Sequence, residues 1–312
     1  MIRRPPRSTL SSSSAASDVY KRQGSDAGAN AIANSGTYVG RASASTITTG
    51  SSCTSVGAYS LQTNATANNN TAIGYKALQD ATALANTACG YEAGLESSTG
   101  THNTYLGCQA GPDNTIGNYN TFVGDLAGDN STTGNDNIGI GTWALESNTT
   151  GNSNTAIGLS ALKNSTSSNH TAVGYAALES NTTGENNVAL GKHTLWKNTT
   201  GSYNVGIGNQ ALYNNLTGQY NVGIGNQALL NNTTGNYVTA IGAKSLQANT
   251  TGSGNTAVGT NAMESNTTGA SNTVMGWNAL VTNTTGSNNT AVGDRALQAN
   301  TTQSNNVAIG YR

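Results

Sequence analysis

Three histidines and three cysteines are the side chains best suited to chemistry here: His102, His170 and His193, and Cys53, Cys89 and Cys108. Neither set makes a centre. Counted from a glycine that returns about every 17 residues, the histidines fall at three different phases, so no two are forced together as metal ligands or as a base and its partner. Cys108 lies one repeat and two residues beyond Cys89, roughly 8 Å away by strand spacings, which is long for a disulfide. Cys53 stands alone, and an odd count gives no disulfide framework. Asp129 and Glu146 share a phase on successive repeats, the spacing a polysaccharide-cleaving carboxylate pair would need. They fall just before a turn with no neighbouring base. The acid-rich segment Asp125 to Asp136 lacks a Gly-Gly-x-Gly-x-Asp calcium pattern and reads as an ordinary polar turn. The expectation is no catalytic residue, no metal site and no cofactor.

The glycine phase itself is the organising signal. An apolar residue followed by Gly ends at Gly40, Gly57, Gly74, Gly90, Gly107, Gly124, Gly141, Gly158, Gly174, Gly191, Gly208, Gly225, Gly242, Gly259, Gly276, Gly293 and Gly310. Every interval is 17 residues except Gly74 to Gly90 and Gly158 to Gly174, which are 16. A short fixed period sustained this way marks a repeat architecture in which each rung packs only on its neighbours. Disorder would not hold an apolar residue at one phase throughout an Asn/Thr/Gly-rich chain.

Within a rung, the third residue before the anchor Gly is Thr or another β-branched residue, as at Thr71, Thr155, Val188 and Val205. The residue just before it is Ile, Val, Leu, Cys or Met. These two positions share one face of a strand, and the reading places them in a narrow core. The residue between them is mostly Ala or Gly and is read as facing another surface. After the anchor, Ala-Leu (Ala161-Leu162, Ala211-Leu212, Ala279-Leu280) supplies a second core residue. The rungs at Gly90, Gly107 and Gly124 carry Ala-Gly instead and read as a thinner stretch. Asn-Thr-Thr-Gly then turns the chain, with Asn and Gly accepting left-handed backbone and stacked Asn side chains bonding from rung to rung. Two short strands and two turns per rung are predicted. The fold class is all-β, a parallel β-solenoid of about 16 rungs, near 77 Å long at ~4.8 Å per rung.

Residues 1–23 match neither the repeat nor a signal peptide, because no apolar run follows the arginines. They resemble translated sequencing-adapter DNA and are set aside as a disordered, non-native leader. Residues 24–36 form a lead-in and 37–312 the solenoid domain. Gly310-Tyr311-Arg312 stops where another Ala-Leu is due, so a truncated rung is expected. The first 23 residues hold five of the 13 basic residues and one of the 14 acidic ones, leaving a remainder with 8 basic and 13 acidic. That balance gives nucleic acid no basic surface, and no apolar run approaches a membrane span. Asn-x-Thr/Ser sequons such as Asn148, Asn181 and Asn249 follow from turn chemistry alone.

The phrase Asn-x-Ala-(Ile/Val)-Gly, as in Asn154 to Gly158 and Asn255 to Gly259, resembles the head repeats of trimeric autotransporter adhesins. It is also similar to repeats of phage tail-fibre and bacterial surface proteins. The resemblance covers roughly 37 to the end. It implies a left-handed β-roll assembled as a homotrimer and displayed outside the cell or virion, as the shaft or head of a fibre that contacts a host-surface glycan or protein. The 17-residue rung is longer than adhesin heads typically use, and neither a coiled-coil stalk nor a membrane barrel is visible in this sequence.

One ligand-binding candidate stands out. Tyr203, Tyr220 and Tyr237 share a phase on three consecutive rungs, where other rungs carry Ser153, Ser271 or Asn288. Stacked in register they would form an exposed aromatic strip about 10 Å long, suited to sugar rings or simply to stapling the stack. A Thr column three before the anchor raises an ice-binding alternative. Its exchange with Val argues for a half-buried position instead.

Overall fold

The computed structural model describes residues 21–31 and 35–311. Eighteen strands of three residues each form one parallel sheet, from β1 (Lys21–Gln23) and β2 (Thr37–Val39) to β18 (Val307–Ile309). Each strand pairs only with its neighbours in sequence, and the pairing is without offset: Ile138 opposite Thr155, Thr155 opposite Thr171, Thr171 opposite Val188. This is a β-solenoid of 17-residue rungs, about 80 Å along the stack. β1 carries the sheet three residues into the segment set aside as a leader, with Lys21–Gln23 in register with Thr37–Val39. The rest of that segment, 1–20, lies outside the described residues.

The two 16-residue rungs keep strand register, because Thr71 still pairs with Thr87 and Thr155 with Thr171. The missing residue is absorbed in the following turn, where Ala81 and Ser165 replace the usual Asn.

The inside and outside of the strand are the reverse of the sequence expectation. The middle residue points inward: Ala72, Ala156, Ala240, Tyr105 and Phe122 are all fully buried. The residues on either side point outward, with Ile241 38%, Leu190 46% and Met275 53% exposed. The usual rule that bulky apolar residues go inside fails here because the interior is already filled. Where an Ala and Leu pair lies opposite the strand, with the Asn columns at the corner, mostly small residues enter from the sheet side; Tyr105 and Phe122 enter where glycines such as Gly111 and Gly128 face them instead. The Leu assignment holds, since Leu162, Leu212 and Leu280 are fully buried.

The Ala-Leu segment is not a second strand. The residues two and four after each anchor have positive φ, as at Ser160 (57°) and Leu162 (51°), which no strand allows. Alternating handedness lets successive N–H groups point to opposite neighbours: Ser160 N–H donates to Thr142 O one rung below at 3.0 Å, and Leu162 N–H to Ala177 O one rung above at 3.0 Å. The segment thus makes a hydrogen-bond ladder without strand conformation. Full burial of the Leu side chain and the inter-rung bonds hold a backbone region that is otherwise unfavourable for leucine.

The turn also differs from expectation in one respect. Its Asn and Gly do not take positive φ; the anchor Gly does, as at Gly158 (134°). The turn Gly is required by close approach: a Cβ at Gly235 would come within 2.5 Å of Asn232 Oδ1 and 2.7 Å of Gly252 O. The turn Asn is buried and donates from Nδ2 twice, Asn232 to Gly235 O at 3.0 Å and to Asn215 Oδ1 at 2.8 Å. From Asn181 to Asn300 that column is continuous, each amide bonding to the one a rung below. Stacked asparagines were the expectation, and they are present. A second column precedes the strand, where the N–H of Asn204 donates to Asn187 Oδ1 at 2.9 Å and Asn204 Nδ2 to Gly218 O at 2.8 Å.

Candidate functional site

Two surfaces can meet a partner. The first is the outer face of the sheet. Over β2 to β18 it consists of two parallel columns of side chains, one rung spacing apart along each column and about 7 Å apart across the strand. The first column runs Thr37, Thr54, Thr71 and onward, with Thr at twelve of seventeen positions and Ile or Val at the other five. The second is Val, Ile, Leu, Cys or Met throughout. No position in either column over those strands is charged. The structure therefore leaves exposed an uncharged, largely aliphatic band roughly 80 Å long. Sequence reasoning missed it by assigning these residues to the core. The signal was available: seventeen rungs without one charge in two columns, in a chain whose other outward phases do carry charge.

The second surface is the tyrosine column. Tyr203 and Tyr220 stack with centroids 4.9 Å apart and planes 2° from parallel; Tyr220 and Tyr237 stack at 5.2 Å and 3°. All three are exposed, at 48%, 45% and 67%. Each sits at φ 58°, which turns its N–H down to the rung below: Tyr220 N–H donates to Ser202 O at 3.1 Å and Tyr237 N–H to Gln219 O at 3.1 Å. The backbone thereby fixes the rings in register. His102 and Tyr119 stack at the same phase, 4.9 Å apart.

A further aromatic group was not singled out from sequence. Tyr175, His193, Trp196 and Tyr213 touch across three rungs, with centroid distances of 5.0 to 6.1 Å. Trp196 Nε1 donates to Glu179, and Lys197 lies over the Trp196 and Tyr213 rings. Trp196 and Tyr213 both stand five residues after an anchor, so the same phase counting that found the tyrosine column finds them.

The remaining chemistry-bearing residues stay apart. Among the described residues no three His, Cys, Asp or Glu side chains gather as metal ligands. Burial and the neighbouring Asp113 and Glu146 carboxylates push Asp129 above the usual carboxylate range, while Glu146 is held by Lys163 at 3.1 Å. The three cysteines are free. Cys53 is buried, Cys108 exposed, and Cys89 half-buried on the outer face rather than in the core. His170 replaces an Asn of the column before the strand. Its Nδ1 accepts from Asn187 N–H at 3.2 Å and its Nε2 meets Ser167 Oγ at 2.9 Å. Burial lowers its pKa to about 4, so it is a neutral structural group. No helix among the described residues is long and apolar enough to cross a membrane.

No family model matches the chain, and no curated protein matches it.

Proposed function

We propose that the chain is a structural segment of an extracellular fibre, built by three copies that cover each other's outer strand face. The observation that carries this reading is the uncharged two-column band. Exposed apolar patches on monomers rarely exceed a few hundred Å², and a band of this length in water favours a partner. A second copy of the same chain fits best, because only a surface with the same 4.8 Å period can lie against it in register along its whole length. The absence of charge from both columns means that no like charges oppose one another when copies meet. Threefold assembly and extracellular display rest on the resemblance of the Asn-x-Ala-(Ile/Val)-Gly phrase to trimeric adhesin and tail-fibre repeats.

Sedimentation equilibrium tests it: a species of three times the 31.5 kDa chain is expected at micromolar concentration. Cys89 reports the face directly. Copper-phenanthroline oxidation is expected to link copies through Cys89 and to lose that product in Cys89→Ser but not in Cys108→Ser. A folded monomer with no such crosslink would overturn the reading.

One observation favours a second reading. The Thr column stands on the outer face of the sheet, half-buried at Thr155 and Thr239 and exposed at Thr171 and Thr256, with its residues in register one rung apart, as an ice-binding array requires. Thermal hysteresis from a monomeric protein would establish it in place of the fibre, since assembly covers the same face.

A further inference from the structure

The tyrosine column ends in an opening. Tyr220 has a ring on each side, so both of its faces are covered, and Tyr203 is covered on one side. Tyr237 is covered by Tyr220 on one face only, and its exposure of 67% against 45% for Tyr220 reflects the other. The residue at the same phase in the next rung is Gly254, with φ 67°. A Cβ built there would meet nothing nearer than Ser271 Oγ at 3.7 Å. One rung of the column therefore lacks a side chain between the Tyr237 ring and Ser271, which stands two rungs from Tyr237, roughly 10 Å.

A ring placed at that level would continue the stack at the spacing the tyrosines already keep. The surroundings specify its character. Across 232–288 the only charged residues are Lys244 and Glu264, which pair with each other at 4.0 Å, so a charged ligand finds no counter-ion. The rim is polar: beside Gly254 the half-buried Ser253 Oγ accepts from Asn236 N–H at 3.0 Å, and one rung on the Ser271 side chain is exposed. An apolar face against tyrosine with neutral hydrogen-bonding groups around its edge matches a pyranose, whose C–H face is apolar and whose hydroxyls lie around the ring.

We propose that the Gly254 gap beside Tyr237 is a subsite for one neutral pyranose ring, stacked on the open face of Tyr237. The three-ring column is its rigid platform, and a single terminal ring does the binding. The site lies outside the two strand columns and does not depend on the fibre reading.

The test uses the full chain and p-nitrophenyl β-glycosides of glucose, galactose, mannose and N-acetylglucosamine, followed by saturation-transfer NMR. Transfer is expected to the C–H protons on one sugar face. Gly254→Tyr should extend the column and cover the open face of Tyr237 while leaving Tyr237 itself unsubstituted. Tyrosine already occupies this phase at φ 58° on three rungs, so the variant is expected to fold. Affinity should fall about tenfold or more in Gly254→Tyr and in Tyr237→Ser, and should be unchanged in Tyr119→Ser, an exposed tyrosine of the same phase outside the three-ring column, with melting curves confirming that each variant is folded. Any of three results overturns the proposal: no transfer to any of the four sugars, transfer confined to the nitrophenyl ring, or wild-type binding by folded Gly254→Tyr and Tyr237→Ser.

Discussion

The rungs from Gly90 to Gly128 and those from Gly174 onward build the same interior from different residues. In the first region the residue four after the anchor is Gly94, Gly111 or Gly128, and the bulk comes from the strand side as Tyr105 and Phe122. A Cβ at Gly111 would come within 2.5 Å of the Tyr105 ring and 2.8 Å of Phe122, and one at Gly128 within 2.6 Å of Phe122. In the second region the strand mostly contributes Ala or Gly, and the bulk comes from the facing side as Leu178, Leu195, Leu212 or Leu229. The stretch that reads as thinner in sequence is therefore filled from the other side. Interiors are close-packed, and what the repeat conserves is a volume per rung, not a residue at a position. The polar columns differ in the same two regions. The turn asparagines are continuous from Asn181 to Asn300, whereas Ala81, Ser97, Ser131 and Ser165 interrupt the earlier part. The break leaves Ser131 Oγ and Asn148 Oδ1 buried without a partner.

The largest effect is expected from Phe122→Ala, which empties a rung whose facing residues are glycines. A loss of about 3–5 kcal/mol is expected in chemical denaturation. Adding Gly128→Leu, whose backbone at φ 64° matches that of Leu162 at 51°, should convert the rung to the other pattern and recover most of that loss. Gly128→Leu alone should destabilise, because its side chain would collide with the ring. If the double variant is no more stable than Phe122→Ala, the volume exchange between the two faces is refuted.

Acid should act on the asparagine columns through His170. Its folded pKa of about 4 lies below the ordinary histidine value of 6.5, so below pH 6.5 the unfolded chain binds the proton more readily. Stability is then expected to fall as pH drops from about 6.5 to about 4, by roughly 3 kcal/mol, and to lose nothing further to this group below that. His170→Asn restores the column's usual residue and should flatten this part of the melting-temperature profile. An unchanged profile would mean that His170 is not the group responsible.

A smaller gain should come from repairing a break. Ser131→Asn supplies an acceptor for Asn148 Nδ2 and a donor toward Asn114, so a gain of about 1 kcal/mol is expected, read as a raised melting temperature. A drop would show that the aromatic region cannot accept the continuous column. Ile241→Asp should do least to the single chain, within ~0.5 kcal/mol, as for surface substitutions generally. It should at the same time prevent association by placing a charge in the band. A collapse of the monomer's own stability would restore Ile241 to the core.

The sequence by itself determined the period, the parallel in-register stacking, the buried Leu and the asparagine columns. Each of these follows from a residue type recurring at fixed phase, and a repeat that packs on itself must bring equal phases together. The tyrosine column was legible for the same reason, down to which rungs carry it. Which side of the strand faces in was not legible. Alternation shows that Thr155 and Ile157 share a face opposite Ala156, but it is silent on which face is the interior. That was decided by the space remaining once Leu162 and the Asn columns are in place, a sum over residues far apart in the rung. The same holds for the segment after the anchor, where Leu162 at positive φ contradicts its local preference. Inter-rung hydrogen bonds and burial together override it, and they exist only once the rungs are stacked.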